Sequence, residues 1–118
     1  MKSSNHFKKI PEGFRLLCRY SELKEKSGKR MMIDDIDMAV FKVNGNVFVM
    51  SNICPHQHSA LIYDGQVEDG YVFCPVHGWK FELGTGKTPS GNCILTQYET
   101  IVSEDSVYAR IPEKKYSW

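Results

Sequence analysis

Two dipeptides constrain this chain more than any other stretch: Asn44-Gly45 and Asp69-Gly70. Each sits between β-favouring runs, Met38–Val43 and Val47–Met50 around the first, Gln66–Glu68 and Tyr71–Phe73 around the second. A two-residue connection between such runs needs positive φ at both central residues. Asn-Gly and Asp-Gly accept that conformation, so each predicts a β-hairpin. The first loop sets Val43 against Asn46 and Phe41 against Phe48, and directs the phenylalanine pair toward the core. Each hairpin then hands the chain to a mixed pair of soft and borderline ligands. Cys54-Pro55-His56 follows the first, Cys74-Pro75-Val76-His77 follows the second, and seventeen residues separate the pairs.

The remaining segments fit the same plan. Phe14–Tyr20 and Arg30–Ile33 read as strands, with a helical turn or polar loop over Ser21–Lys26 and an acidic turn at Asp34-Asp35. Trp79–Leu83, Ile94–Val102 and Val107–Ile111 are further strand candidates, and residues 84–92 form a turn-rich loop. Gly84-Thr85-Gly86 is too short for a phosphate cradle and no helix follows it. Asp34, Asp35 and Asp37 lack the spacing of a calcium loop and read as a solvated turn. Short strands without a long 3.6-residue period predict an antiparallel all-β sandwich or barrel. Residues 1–12 are expected to be an N-terminal arm, 13–112 one domain, and 113–118 a tail, in keeping with the 118-residue length.

Composition excludes several function classes. Lys plus Arg is 15 and Asp plus Glu is 14, a net charge of +1, which leaves no basic footprint for nucleic acid. No apolar run has the length of a membrane span, and the N-terminus lacks the apolar segment of a signal peptide. The expected compartment is the cytoplasm, where paired cysteines serve metals or catalysis more often than disulfides. Two disulfides among the four cysteines are the competing arrangement. Cys18 and Cys93 lie in apolar, strand-like contexts and are expected to be buried free thiols.

Two thiols and two imidazoles suit tetrahedral zinc or iron–sulfur chemistry. Zinc modules often group like ligands, with a helix presenting the histidines. Here each loop is mixed and follows a hairpin arm. Two such loops can place both cysteines on one iron and both histidines on the other.

Cys54-Pro55-His56-Gln57 and Cys74-Pro75-Val76-His77-Gly78-Trp79, with Phe81 and Thr85-Gly86 downstream, resemble the Rieske-type ferredoxins and the Rieske domains of ring-hydroxylating oxygenases. The resemblance runs from about Phe14 to Ile111. It implies an all-β fold of three antiparallel sheets with a small cluster-binding subdomain formed around loops 54–61 and 74–81. It also implies one [2Fe–2S] cluster, with Cys54 and Cys74 on one iron and His56 and His77 on the other. The function implied is a one-electron carrier rather than an enzyme, taking electrons from a flavin-dependent reductase and passing them to an oxygenase or similar acceptor; the carrier itself is expected to be a monomer. The runner-up is a Rieske-like small subunit of a nitrite reductase-type enzyme, and a structural zinc module is a remote third.

Departures from the family pattern refine the expectation. Respiratory members carry an extra cysteine in each loop, and a serine and a tyrosine where this chain has Trp79 and Phe81. With fewer donors to the sulfurs, the reduced state is stabilised less, and the resemblance implies a low-potential centre near roughly −150 mV. His58 stands where the family usually has glycine, and is read as a solvated loop residue or a third imidazole near the cluster. Gly91 is followed by Asn92 rather than the family's proline, so the cover over the cluster differs. Trp79 is read either as a shield or as core packing.

Overall fold

The computed structural model describes residues 10–55, 58–76 and 78–112. Residues 1–9 of the expected arm, with His6 and Lys8-Lys9, and the expected tail over 113–118, with Lys114-Lys115, lie outside the described residues, as do His56, Gln57 and His77.

The strands are β1 (Phe14–Arg19), β2 (Gly28–Ile33), β3 (Ile36–Val43), β4 (Asn46–Ser51), β5 (Gln66–Glu68), β6 (Tyr71–Phe73), β7 (Lys80–Glu82), β8 (Gln97–Tyr98), β9 (Thr100–Ser103) and β10 (Ser106–Arg110). They form three antiparallel sheets, ordered β1-β10-β9, β2-β3-β4-β8 and β5-β6-β7. Both Gly-containing hairpins form in the expected register. Val43 faces Asn46, Phe41 faces Phe48, and Glu68 faces Tyr71. Asn44 and Asp69 adopt φ of 53° each, with Gly45 and Gly70 at 81° and 82°.

The β2–β3 turn is tighter than the sequence suggests. Asp34 and Asp35 both take positive φ, 50° and 68°, so two aspartates do what Asn-Gly does elsewhere. The expected strand over Ile94–Val102 is broken. Ile94 makes an isolated bridge to Lys87, β8 pairs with β4, and after Glu99 the chain crosses to pair β9 with β10. A single β-favouring run thus serves two sheets, a tertiary outcome that period and propensity do not encode. Between Leu61 and Gly65 the apolar run makes a 3-10 turn, Ile62–Asp64.

Strand β3 explains how the layers stack. Met38, Ala39, Val40 and Phe41 are all buried, so both faces of the strand are covered. Met38 and Val40 join Leu17, Val49, Val107 and Ala109 in one core. Ala39 and Phe41 join Met50, Ile62, Val72, Phe81 and Leu95 in a second core. The middle sheet is therefore packed between the β1-β10-β9 sheet and the β5-β6-β7 subdomain. Phe41 and Phe81 are fully buried, and each such burial contributes about 1.5–3 kcal/mol.

Candidate metal centre

The loop after β4 and the loop after β6 are closed by the same pair of backbone hydrogen bonds. In the first, the Cys54 N–H donates to the Ser59 carbonyl at 3.0 Å and the His58 N–H donates to the Cys54 carbonyl at 2.7 Å. In the second, the Cys74 N–H donates to the Trp79 carbonyl at 2.7 Å and the Gly78 N–H donates to the Cys74 carbonyl at 2.9 Å. Both loops place proline directly after cysteine, where a fixed φ and a missing N–H suit a tight turn. Both close on a left-handed residue, His58 at 59° and Gly78 at 69°.

This equivalence explains the unusual position of His58. Its backbone requires the conformation that glycine adopts freely and that costs an L-residue about 1–2 kcal/mol. A Cβ built on Gly78 meets nothing within 4 Å, so the matching outer position leaves room for a side chain. His58 is exposed, as a solvated loop residue would be.

The loops bring two of the four expected ligands to one place. Cys54 and Cys74 are 0% and 1% exposed, and both belong to the apolar core that contains Phe81, Val72 and Leu95. Trp79 packs against that core too, so packing is at least part of its role. All four cysteines are free, against the two-disulfide arrangement. Cys18 is buried, and burial first, then Glu22, pushes its thiol up from the ordinary range while Lys29 opposes. Cys93 departs from the expectation. It is only half-buried and lies in a loop, because the run around it is not a strand. His56 and His77 lie outside the described residues. Among the described residues no three His, Cys, Asp or Glu side chains come together as a metal site.

The third loop folds back as a small hairpin. The Leu95 N–H donates to the Gly86 carbonyl at 2.7 Å, the Thr88 N–H to the Cys93 carbonyl at 3.0 Å, and the Gly91 N–H to the Thr88 carbonyl at 2.9 Å. Pro89 occupies the second position of that tip turn, where its φ is favourable. Leu95 is buried beside Cys54 and Cys74, and Cys93 packs against the same core. Gly86 is required here. Its φ is 78°, and a Cβ would lie 1.9 Å from the Leu95 carbonyl oxygen.

Sequence reasoning missed the residues that fasten the first loop. Asn52 is fully buried two residues before Cys54. Its Nδ2 donates to Asp37 Oδ1 and to the Ala60 carbonyl, both at 3.0 Å, and its Oδ1 accepts from the Tyr63 N–H at 2.7 Å. Asp37 is the hub. Arg30 grips it through Nε to Oδ1 at 3.0 Å and Nη2 to Oδ2 at 2.7 Å. The reading of Asp37 as part of a solvated turn is therefore corrected: it lies on β3, with a side chain only 9% exposed. The Arg30 guanidinium holds the Asp37 carboxyl below the usual carboxylate range. Burial opposes this and the Asn52 amide assists. The available signal was a polar side chain at each end of the apolar β3–β4 hairpin.

A buried apolar core holding two free cysteines, on two loops that each carry a histidine in sequence, suits a thiolate-and-imidazole metal centre. The comparison with known proteins agrees. The model of the Rieske [2Fe-2S] domain matches residues 13–99. The chain belongs to the Rieske [2Fe-2S] domain family. The group such a domain binds is a [2Fe–2S] cluster.

Relatives of this Rieske chain fall into two size classes. It is 33% identical over 97 residues to the cholesterol 7-desaturase of Drosophila melanogaster, spanning 81% of this chain and only 21% of that protein. It is 30% identical over 103 residues to the 3-phenylpropionate/cinnamic acid dioxygenase ferredoxin subunit of Photorhabdus laumondii, spanning 84% of this chain and 95% of that one. The ferredoxin of Sphingomonas yanoikuyae B1 superposes with a TM-score of 0.74 at 26% identity, covering 83% of this chain and 98% of that chain. The three antiparallel sheets expected from the resemblance are thus the fold. No helix among the described residues is long and apolar enough to cross a membrane.

Proposed function

We propose that this Rieske domain is a one-electron carrier, and not itself an enzyme, with Cys54 and Cys74 holding one iron and His56 and His77 the other. The observation that carries the proposal is the pair of loops with one backbone closure, each burying a cysteine in the same apolar core. A [2Fe–2S] cluster bound there accepts and returns one electron. The protein's contribution is to exclude water from Cys54 and Cys74, to fix both loops, and to leave the histidine side of the site for contact with partners. Neutral imidazoles in place of two thiolates raise the potential above that of an all-cysteine centre.

The near-complete overlap with a dioxygenase ferredoxin subunit supports a flavin-dependent reductase as donor and an oxygenase as acceptor. Each loop around the site leaves a large apolar side chain in solvent, Leu61, Val76 and Ile94. An apolar rim of this kind suits brief docking of a redox partner by a monomer. Four free cysteines suit a reducing compartment, the cytoplasm.

Anaerobic titration with dithionite, followed by mixing with a purified Rieske-type oxygenase, tests the reading. The chain is expected to take up one electron and to lose it to the oxygenase. A chain that takes up none would overturn the proposal. One that purifies in a stable complex with a catalytic subunit would favour the nitrite reductase-type small subunit instead. His77→Cys tests the ligand assignment: the potential should fall or the cluster be lost, and an unchanged potential would reject His77.

A further inference from the structure

The two ligand loops differ at their closing residue. Ser59 and Trp79 occupy equivalent positions, each lending its carbonyl to the cysteine N–H five residues earlier. Ser59 carries a hydroxyl where Trp79 carries an indole. The Ser59 hydroxyl oxygen is buried and has no hydrogen-bond partner among the described residues, a condition shared there only with Gln97 Nε2. A buried hydroxyl without an acceptor costs about 1–3 kcal/mol. Such orphans in native proteins call for a partner that protein atoms do not supply. Gln97 lies after the third loop, on β8. Ser59 lies in the first ligand loop, with its backbone held 3.0 Å from the Cys54 N–H.

We propose that the Ser59 hydroxyl donates a hydrogen bond to an inorganic sulfide of the metal centre, and thereby sets the reduction potential. The inference rests on the Rieske reading of the site. No described sulfur partners the hydroxyl, so the acceptor left is a sulfide that a two-iron centre held by Cys54 would bring beside this loop, and a charged acceptor strengthens the bond. One electron arriving from an external donor adds one negative charge to the centre. Ser59 keeps its proton on Oγ throughout, so no proton is transferred and only the strength of the bond changes. The bond is stronger in the reduced state, and so Ser59 favours reduction. Ser59 is a positioning residue in this account, and loop one alone supplies a hydroxyl at the closing position. The low potential expected from Trp79 and Phe81 is then partly offset from the other side of the site.

The test is an EPR-monitored redox titration of the cluster-loaded protein, with iron and sulfide analysed in each sample. Ser59→Ala should retain the cluster and lose about tenfold in its preference for the reduced state, equivalent to about 59 mV for one electron. Ser59→Thr keeps the hydroxyl and should restore the wild-type midpoint. A loaded Ser59→Ala with an unmoved midpoint would overturn the inference, as expected if a trapped water satisfies the hydroxyl. If the Ala variant fails to hold the cluster, the Thr variant decides: a midpoint shifted by tenfold despite the retained hydroxyl would also overturn it. A wild-type protein without a Rieske signal would instead overturn the reading on which the inference stands.

Discussion

Asn52→Ala should be among the most damaging single substitutions outside the apolar core. The side chain is 0% exposed and makes three hydrogen bonds, to Asp37, to the Ala60 carbonyl and from the Tyr63 N–H. Each contributes about 1 kcal/mol net, and stranding the partners in a buried site adds to that. The expected loss is about 3–4 kcal/mol, from a total that is about 5–15 kcal/mol for a domain of this kind. At about 4–8 °C per kcal/mol, the midpoint of thermal unfolding should fall by about 12–30 °C. Asn52→Asp separates this cause from simple loss of volume. It is nearly isosteric and keeps an acceptor for Tyr63, but it turns an oxygen toward the Asp37 carboxylate and the Ala60 carbonyl. If the polar network carries the stability, the Asp variant is at least as damaged as the Ala variant near pH 7. If packing carries it, the Asp variant is mild. Amide exchange gives a local readout: Tyr63, whose acceptor is Asn52 Oδ1, should lose protection first. An Ala variant within about 4 °C of wild type, or an Asp variant as stable as wild type, would refute the reasoning.

Other predictions follow from the same contacts. Asp37 has a folded-state pKa depressed by Arg30, so its contribution is fully present above the unfolded carboxyl pKa of about 3.9 and is lost as pH falls through the folded value. Asp37→Asn should therefore be less stable than wild type at pH 7, with the two curves converging in acid; a gap that stays constant down to pH 2 would contradict this. Gly86→Ala combines a φ of 78° with a 1.9 Å approach to the Leu95 carbonyl oxygen. It should cost about 2 kcal/mol or more in thermal unfolding, and a loss below about 0.5 kcal/mol would be incompatible with that geometry. His58→Gly relieves the left-handed φ of 59° and should raise stability by about 0.5–1 kcal/mol after the entropy of the added glycine is counted. A loss of stability there would reveal contacts of the imidazole.

The parts of the fold governed by local rules were legible in the sequence. Asn44-Gly45 and Asp69-Gly70 gave both hairpins and the Phe41–Phe48 register, because turn chemistry fixes pairing over a few residues. The continuous burial of β3 and the crossing of the chain at Glu99 were not legible, because both depend on which sheet packs where. Cys54 and Cys74, which the fold buries in one core, were singled out by residue type and spacing. Asn52 and Asp37 were not, because a buried polar network has no periodic signature, and an aspartate beside Asp34 and Asp35 looks like one more turn residue. The equivalence of Ser59 with Trp79, and the reason His58 sits in a glycine position, emerge only from backbone hydrogen bonds and φ.

The central claim is that two cysteines and two histidines share one two-iron centre in this chain. The most direct measurement is pulsed EPR of the reduced protein, prepared with and without ¹⁵N-labelled histidine. The account predicts nitrogen couplings from two imidazoles, both altered by the label. A cluster signal with no histidine coupling would mean all-sulfur ligation. A colourless protein holding zinc, with no signal on reduction, would contradict the account altogether.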